Sequence, residues 1–272
     1  MQLSELLTYS TVLITCKLPE PNKYCTGTGF IMNLCIHNSQ CIPVIITNKH
    51  VIENSVSCEF TFCKRNSDNT PNNNEHITCQ GGNANEWFKH PNDDIDLCCL
   101  PIGALINNSV HDGKPLIYYT ALDTSLLPSQ DDINNFSALE DVIMIGYPRG
   151  LSDNYNNKPI LRKGITATHI KNDYQGRKEF LIDMACFPGS SGSPVFILNE
   201  GAYSSGNSII MGSRIKFVGI LYAGPQFTAN GEIKFVEIPS TPRIVTDIPM
   251  NLGCVIKSSE ILAFELMLEQ LM

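Results

Sequence analysis

The apolar runs of this chain are short. They are rich in β-branched residues, recur roughly every ten residues and are separated by turn residues. Residues 8–16, Thr8 to Cys16, read as a strand. Gly27–Met32 reads as a second, entered through two glycines, and Cys41–Thr47 as a third, ending at Asn48-Lys49-His50. Further strands are expected at Asp96–Ile102, Asp141–Ile145, Ile160–Ile170, Glu179–Met184, Pro194–Leu198 and Ile233–Ile238, with a hairpin over Ile209–Tyr222. Many short strands at this spacing predict an all-β sandwich or barrel. Asn66–Glu75 is polar and broken by proline, which predicts a solvated loop. The irregular span 103–140 predicts a connection between two halves. Only the tail is helical by pattern. There Ser258 and Ser259 can cap, Glu260 sits in the first turn, and Ile261, Leu262, Leu266, Leu268 and Leu271 follow. A helix docked on the fold is expected; a contact with another copy or a partner domain is the other reading.

With 272 residues, 43% of them hydrophobic and 17% charged, the chain can bury a large core. A net charge of −8 with no clustered Lys or Arg argues against nucleic-acid or anionic-membrane partners. No apolar run approaches the ~20 residues of a membrane span. The start, Met1-Gln2-Leu3-Ser4-Glu5-Leu6-Leu7, has neither a basic segment nor a long apolar one, so no signal peptide is expected. Eleven cysteines include an adjacent pair, Cys98 and Cys99, and no Cys-x-x-Cys. Reduced, mostly buried thiols in a cytoplasm follow, with no zinc cage, cofactor or other metal expected.

Chemistry is concentrated in Cys186-Phe187-Pro188-Gly189-Ser190-Ser191-Gly192-Ser193-Pro194-Val195-Phe196. Glycines in such a turn let the backbone come close to a substrate and aim the N–H groups of Gly189 and Ser191 at one point. That arrangement can hold an oxyanion while the Ser191 hydroxyl attacks a carbonyl. An ordinary β-turn rich in Gly and Ser has the same composition. A serine hydroxyl needs a base, and the base needs an orienting acid. Of six histidines, His50 stands out because it closes the apolar strand Ile45-Ile46-Thr47-Asn48-Lys49-His50-Val51. For the acid, Asp93, Asp94 and Asp96 compete. Asp96 immediately precedes a strand, while Asp94 remains open because Asp94-Ile95-Asp96-Leu97 alternates suitably.

Four stretches together resemble the landmarks of trypsin-like serine proteases: Thr47-Asn48-Lys49-His50-Val51, Asp96 to Leu100, Ile145-Gly146-Tyr147-Pro148 and Gly189 to Phe196. They stand in that family's order of His, Asp, Ser. The chain is most similar to the bacterial glutamyl-endopeptidase branch, with Htr-type proteases close behind through Asp183, Pro188 and Gly189. The resemblance implies two packed six-stranded antiparallel β-barrels, residues 1–115 and 116–257, followed by a C-terminal helix over 258–272. It implies His50 as general base then acid, Asp96 as its orienting partner, and Ser191 as acylated nucleophile. The N–H groups of Gly189 and Ser191 would form the oxyanion hole. A protein or peptide substrate is implied, and a regulatory or activating protein partner is a further expectation.

Departures from the family narrow the expectations. Digestive trypsins carry Asp before the nucleophile, which pairs with a newly cut N-terminus; here Ser190 stands there. Activity without N-terminal cleavage is therefore expected, unless another element controls the hole. The strand Gly219 to Gly224 resembles the one that pairs with substrate backbone, which puts Leu221, Tyr222 and Ala223 beside the substrate. Leu221 replaces the His of glutamyl endopeptidases. Ala185, beside Cys186, replaces the pocket-base Asp of trypsin. An uncharged side chain of small or medium size before the scissile bond is expected. Two readings stand against an active serine peptidase. One is a silent trypsin-like fold acting as a protein-binding module. The other is a thiol or metal protein built on Cys186.

Overall fold

β1 (Thr11–Lys17), β2 (Tyr24–His37), β3 (Gln40–Thr47), β4 (Ser57–Arg65), β5 (Pro71–Gly81), β6 (Phe88–Lys89) and β7 (Cys98–Pro101) build the first half of the chain. They form a nine-stranded sheet with two short strands, Ile117–Tyr118 on β4 and Leu122–Asp123 on β2. The structure is a computed structural model that describes the chain apart from residues 39, 112–113, 206–207, 225, 233–242 and 271–272. The second half is a closed six-stranded barrel. Its strands are β8 (Asp141–Gly146), β9 (Ile160–Thr166), β10 (Glu179–Asp183), β11 (Pro194–Asn199), β12 (Arg214–Ala223) and β13 (Leu252–Lys257), paired in the order β8-β9-β10-β13-β12-β11. The result is all-β with a C-terminal helix, consistent with a chymotrypsin-like double barrel.

Alternation along these strands gives each half its own interior. Ile14, Ile31, Phe60 and Trp87 fill the first, and Phe180, Ile182, Val195 and Val255 fill the second. A third cluster lies across the seam between them. Phe30 from β2 meets Phe217 from β12 edge to face, with ring centroids 5.2 Å apart, and Phe196 from β11 packs on Phe217 at 5.3 Å. Ile261, Phe264 and Leu268 from the tail join the same cluster, so the tail helix docks over the seam as its apolar face predicts.

Five local expectations are corrected. Residues 3–7 form a short helix (Leu3–Leu7), too brief to show a helical period, and β1 starts at Thr11 rather than Thr8. The segment 66–75 is only partly a loop: β5 begins at Pro71, where a strand-starting proline needs no ladder N–H, and pairs with β4 from Arg65↔Pro71 onwards. The asparagines of this edge strand are polar without being idle; the Asn73 side chain accepts a 2.9 Å hydrogen bond from the Tyr9 hydroxyl. Ile209–Tyr222 is no single hairpin, because Ser208–Met211 pairs back to Ala202–Ser205 while β12 enters the barrel. Gly212, at φ +142°, makes the break. The tail begins as a 3-10 turn (Ser258–Ile261) before the α-helix Leu262–Glu269, and neither serine side chain caps it. Strand β9 ends at Thr166, short of Ile170. The strand expected at Ile233–Ile238 lies outside the described residues. No described helix is long and apolar enough to cross a membrane.

Candidate active site

β3 delivers the imidazole. The strand ends at Thr47, and Lys49–Ile52 forms one helical turn pinned by buried Val51 and Ile52. That leaves His50 on the open side, 44% exposed. Asn48 Nδ2 donates to the Asp96 carbonyl at 2.7 Å and ties this turn to the chain entering β7. Asp96 then grips His50 at two points. Its Oδ1 accepts the His50 backbone N–H at 3.1 Å, and its Oδ2 lies 2.5 Å from His50 Nδ1. Buried Ile95 and Leu97 flank Asp96 and fix its direction. Asp94 is exposed, and its N–H donates to Asn92 Oδ1. Of the competing carboxylates, Asp96 is the one that reaches His50. A carboxylate on Nδ1 holds the ring so that Nε2 faces outward.

The Ser191 turn rests on β2. Thr28 N–H donates to the Ser191 carbonyl at 2.9 Å, and Thr28 Oγ1 donates to the Gly189 carbonyl at 3.0 Å. Thr47 Oγ1 donates to the Thr28 carbonyl at 2.7 Å, so the turn, β2 and the end of β3 form one hydrogen-bonded stack. The stack is tight enough to require glycine at 192: φ is +85°, and a Cβ there would lie 1.9 Å from the Thr28 carbonyl oxygen. Preceding it, Ser190 N–H closes a turn onto the Phe187 carbonyl at 3.0 Å. Pro188 occupies its second position and Gly189, at φ +84°, its third, the signature of a type II turn. The N–H groups of Gly189 and Ser191 have no partner among the described residues. Two free donors in one short turn can bind a developing oxyanion.

Ser191 Oγ itself donates to the Tyr222 carbonyl at 3.3 Å. Among the described residues no hydrogen bond joins it to His50. Tyr222 is thrown into this position by a bulge: β12 and β13 pair in register to Leu221↔Val255, then shift to Ala223↔Cys254. Next to the serine lies a cavity of about 180 Å³ lined by Cys186, Phe187, Pro188, Leu221, Tyr222, Ala223 and Gly224, none of them charged. Ala185 does not line it; its carbonyl accepts a hydrogen bond from Arg162 Nη1 instead. Burial pushes the Cys186 thiol up to about 11, so it stays protonated in the cavity wall. Leu221 offers its backbone rather than its side chain, which is packed into the barrel interior. Its carbonyl accepts Gly192 N–H at 2.8 Å and its N–H donates to the Ser193 carbonyl at 2.9 Å.

Thr28, Arg162 and the Tyr222 carbonyl escape a sequence reading, since each acts through a contact between distant segments. Gly27-Thr28-Gly29 carried a faint signal, glycines that permit close approach around one hydroxyl. The described residues hold no cluster of side chains arranged for a metal ion.

Comparison with known proteins gives a family and a set of distant structural likenesses. The sequence model of the trypsin-like peptidase domain matches residues 27–202, well over half of the chain. No curated protein matches the chain. The active form of the Rv3671c protease of M. tuberculosis is 13% identical, with 95% of this chain and 80% of that one covered and a TM-score of 0.46. The thermostable serine protease AL20 from an extremophilic microorganism is 11% identical over 92% of this chain and 91% of its own, at 0.45. A tobacco etch virus protease mutant is 11% identical over 98% and 81%, at 0.48.

Proposed function

Because the chain belongs to the trypsin-like peptidase domain family, we propose that it is a serine endopeptidase whose nucleophile is Ser191, with His50 and Asp96 as its base and orienting acid. The observation that carries this reading is the double grip of Asp96 on His50. It fixes the ring tautomer and supports the imidazolium formed when the base accepts a proton. In the resting arrangement Ser191 Oγ points to the Tyr222 carbonyl. Catalysis needs a rotation about the Ser191 side-chain bond that brings Oγ towards Nε2, a contact that often tightens only with substrate bound. Oγ then attacks the scissile carbonyl while its proton passes to His50. The carbonyl oxygen takes its charge to the N–H groups of Gly189 and Ser191. Collapse of the tetrahedral intermediate returns the proton from His50 to the leaving amine, and water repeats the sequence to release Ser191.

Substrate backbone would add to the strand edge at Tyr222–Gly224, and the neighbouring uncharged cavity selects a small or medium uncharged side chain before the scissile bond. Neither Leu221 nor Ala185 supplies the polar group that glutamyl or basic specificity requires, so likeness to the bacterial glutamyl-endopeptidase and Htr-type branch extends to the scaffold and not to preference. We read residues 1–115 and 116–257 as the two lobes, with Ile117–Tyr118 and Leu122–Asp123 of the second span reaching back to pair with the first sheet, and 258–272 as the segment that straps them. All eleven cysteines are free, which fits a reducing compartment such as a cytoplasm. A binding module is the second reading, favoured by the absence of a Ser191–His50 hydrogen bond among the described residues. Labelling by a fluorophosphonate separates the two. Labelling of the wild type that Ser191→Ala abolishes supports the peptidase; an unlabelled, well-folded wild type supports the module.

A further inference from the structure

Arg162 projects from β9 to the turn that precedes the nucleophile. Its Nη1 donates to the Ala185 carbonyl, and its Nη2 donates to Ser190 Oγ at 2.6 Å. Nε is buried with no partner, and among the described residues the guanidinium meets no carboxylate. Burial lowers its pKa, which records the cost of keeping this cation away from water. A half-buried arginine with no counter-ion is expensive to keep, and its bonds all go to one target. Ala185 opens the segment 185–190 and Ser190 closes it, so one planar, forked side chain clamps both ends.

The other supports of the turn are backbone or hydroxyl contacts. Thr28 holds Gly189 and Ser191 from β2, and Arg149 N–H donates to the Pro188 carbonyl at 2.6 Å. Gly189 has no room to move towards that side, since a Cβ there would lie 2.7 Å from both Arg149 N and the Tyr147 carbonyl oxygen. The side chain of Ser190, fully buried, is the remaining handle, and Arg162 occupies it. We propose that Arg162 is a positioning residue for the oxyanion-binding turn: by anchoring Ser190 it holds the N–H groups of Gly189 and Ser191 where the developing oxyanion will sit. This rests on the reading of Ser191 as nucleophile.

Beside Arg162 a cavity of about 770 Å³, lined by Arg149, Leu151, Ile160, Phe187 and neighbours, opens to solvent. A small guanidinium ion can therefore reach the space that a truncated side chain leaves. The test compares wild type, Arg162→Ala and Arg162→Lys on one peptide substrate, and on the peptide aldehyde of the same sequence, with and without methylguanidinium. For Arg162→Ala kcat is expected to fall by about 100-fold, as for loss of one oxyanion donor, with KM within about twofold. Aldehyde affinity should fall with kcat, because the hemiacetal oxygen uses the same donors, and methylguanidinium should restore part of both. Arg162→Lys, which keeps the charge but loses the fork, should lie between. Unchanged kcat, a loss confined to KM, or aldehyde affinity that does not follow kcat overturns the proposal. If Arg162→Ala does not fold, Ser190→Ala decides: a lowered kcat with unchanged KM supports the anchor, and wild-type kcat refutes it. Ser191→Ala runs in parallel. If that variant stays active the nucleophile reading fails and this inference falls with it; if it is dead, the Arg162 result judges the anchor alone.

Discussion

Thr28 and Ser191 are joined across the seam of the molecule by a 2.9 Å hydrogen bond from the Thr28 amide to the Ser191 carbonyl. The Thr28 hydroxyl adds two more links, donating to the Gly189 carbonyl and accepting the Tyr147 N–H at 3.0 Å. One residue of the first sheet thus holds both ends of the Gly189–Ser191 turn and the chain leaving β8. Thr28→Val keeps the shape but leaves the buried Tyr147 N–H unpaired, which costs about 1–3 kcal/mol. Chemical denaturation should show that loss, and kcat should fall while Thr28→Ser preserves both.

Asp96→Asn should leave the fold intact and lower kcat by about 10³–10⁴, the effect expected when the orienting acid can no longer hold the ring tautomer. Asp94→Asn should leave kcat at the wild-type value, because that side chain is exposed and makes no contact with His50. Steady-state kinetics of the two variants side by side check the assignment. Equal losses would sink it.

Two glycine substitutions should differ sharply. Gly192→Ala combines a positive φ with a Cβ 1.9 Å from the Thr28 carbonyl oxygen, so the turn must leave β2. Gly176 has φ +76° but nothing within 4 Å of its Cβ position. Gly176→Ala should therefore cost only the left-handed penalty of about 1–2 kcal/mol and leave activity unchanged. Gly192→Ala should abolish activity and cost several times as much stability, read by thermal unfolding.

Cys25 should be the thiol that alkylates near neutral pH. It stands opposite Cys16 in the ladder, and the neighbouring Cys16 thiol lowers its pKa to about 7 while the Cys16 thiol is itself raised. Cys16 also lies 3.1 Å, sulfur to sulfur, from Cys58 in the interior. Iodoacetamide labelling of Cys25, followed by mass spectrometry, should rise with a midpoint near that value, and Cys16→Ala should move the midpoint up. The native state prefers the thiolate, so this contribution to stability is full above the unfolded thiol value and disappears as pH falls through about 7. A midpoint unaffected by Cys16→Ala would remove the stated cause.

How much of this was legible in the sequence depends on how local each signal is. Short apolar runs located β3, β8, β10 and β11 because much of each strand is buried on both faces. That signal failed at β5, where Pro71 and Asn72 pair with Arg65 and Lys64 of β4 and Asn73 to Glu75 bulge out before pairing resumes at His76. The candidacy of His50 and Ser191 rests on turn chemistry beside apolar strands, a local signal. Choosing Asp96 over Asp94 needed the fold, since both alternate in the same way and only the loop into β7 decides which one faces His50. Arg162 carries no sequence signal, because its partners are separated from it by more than twenty residues and form only when the barrel closes.

The seam cluster has a temporal consequence. Phe30, Phe196 and Phe217 are sealed by Ile261, Phe264 and Leu268, which leave the ribosome after His50, Asp96 and Ser191 have all emerged. A nascent chain can therefore expose His50, Asp96 and Ser191 while the surface that clamps its two halves is still being made. Long-range closure of this kind is slow, and the seam is sealed only after the tail helix has been made.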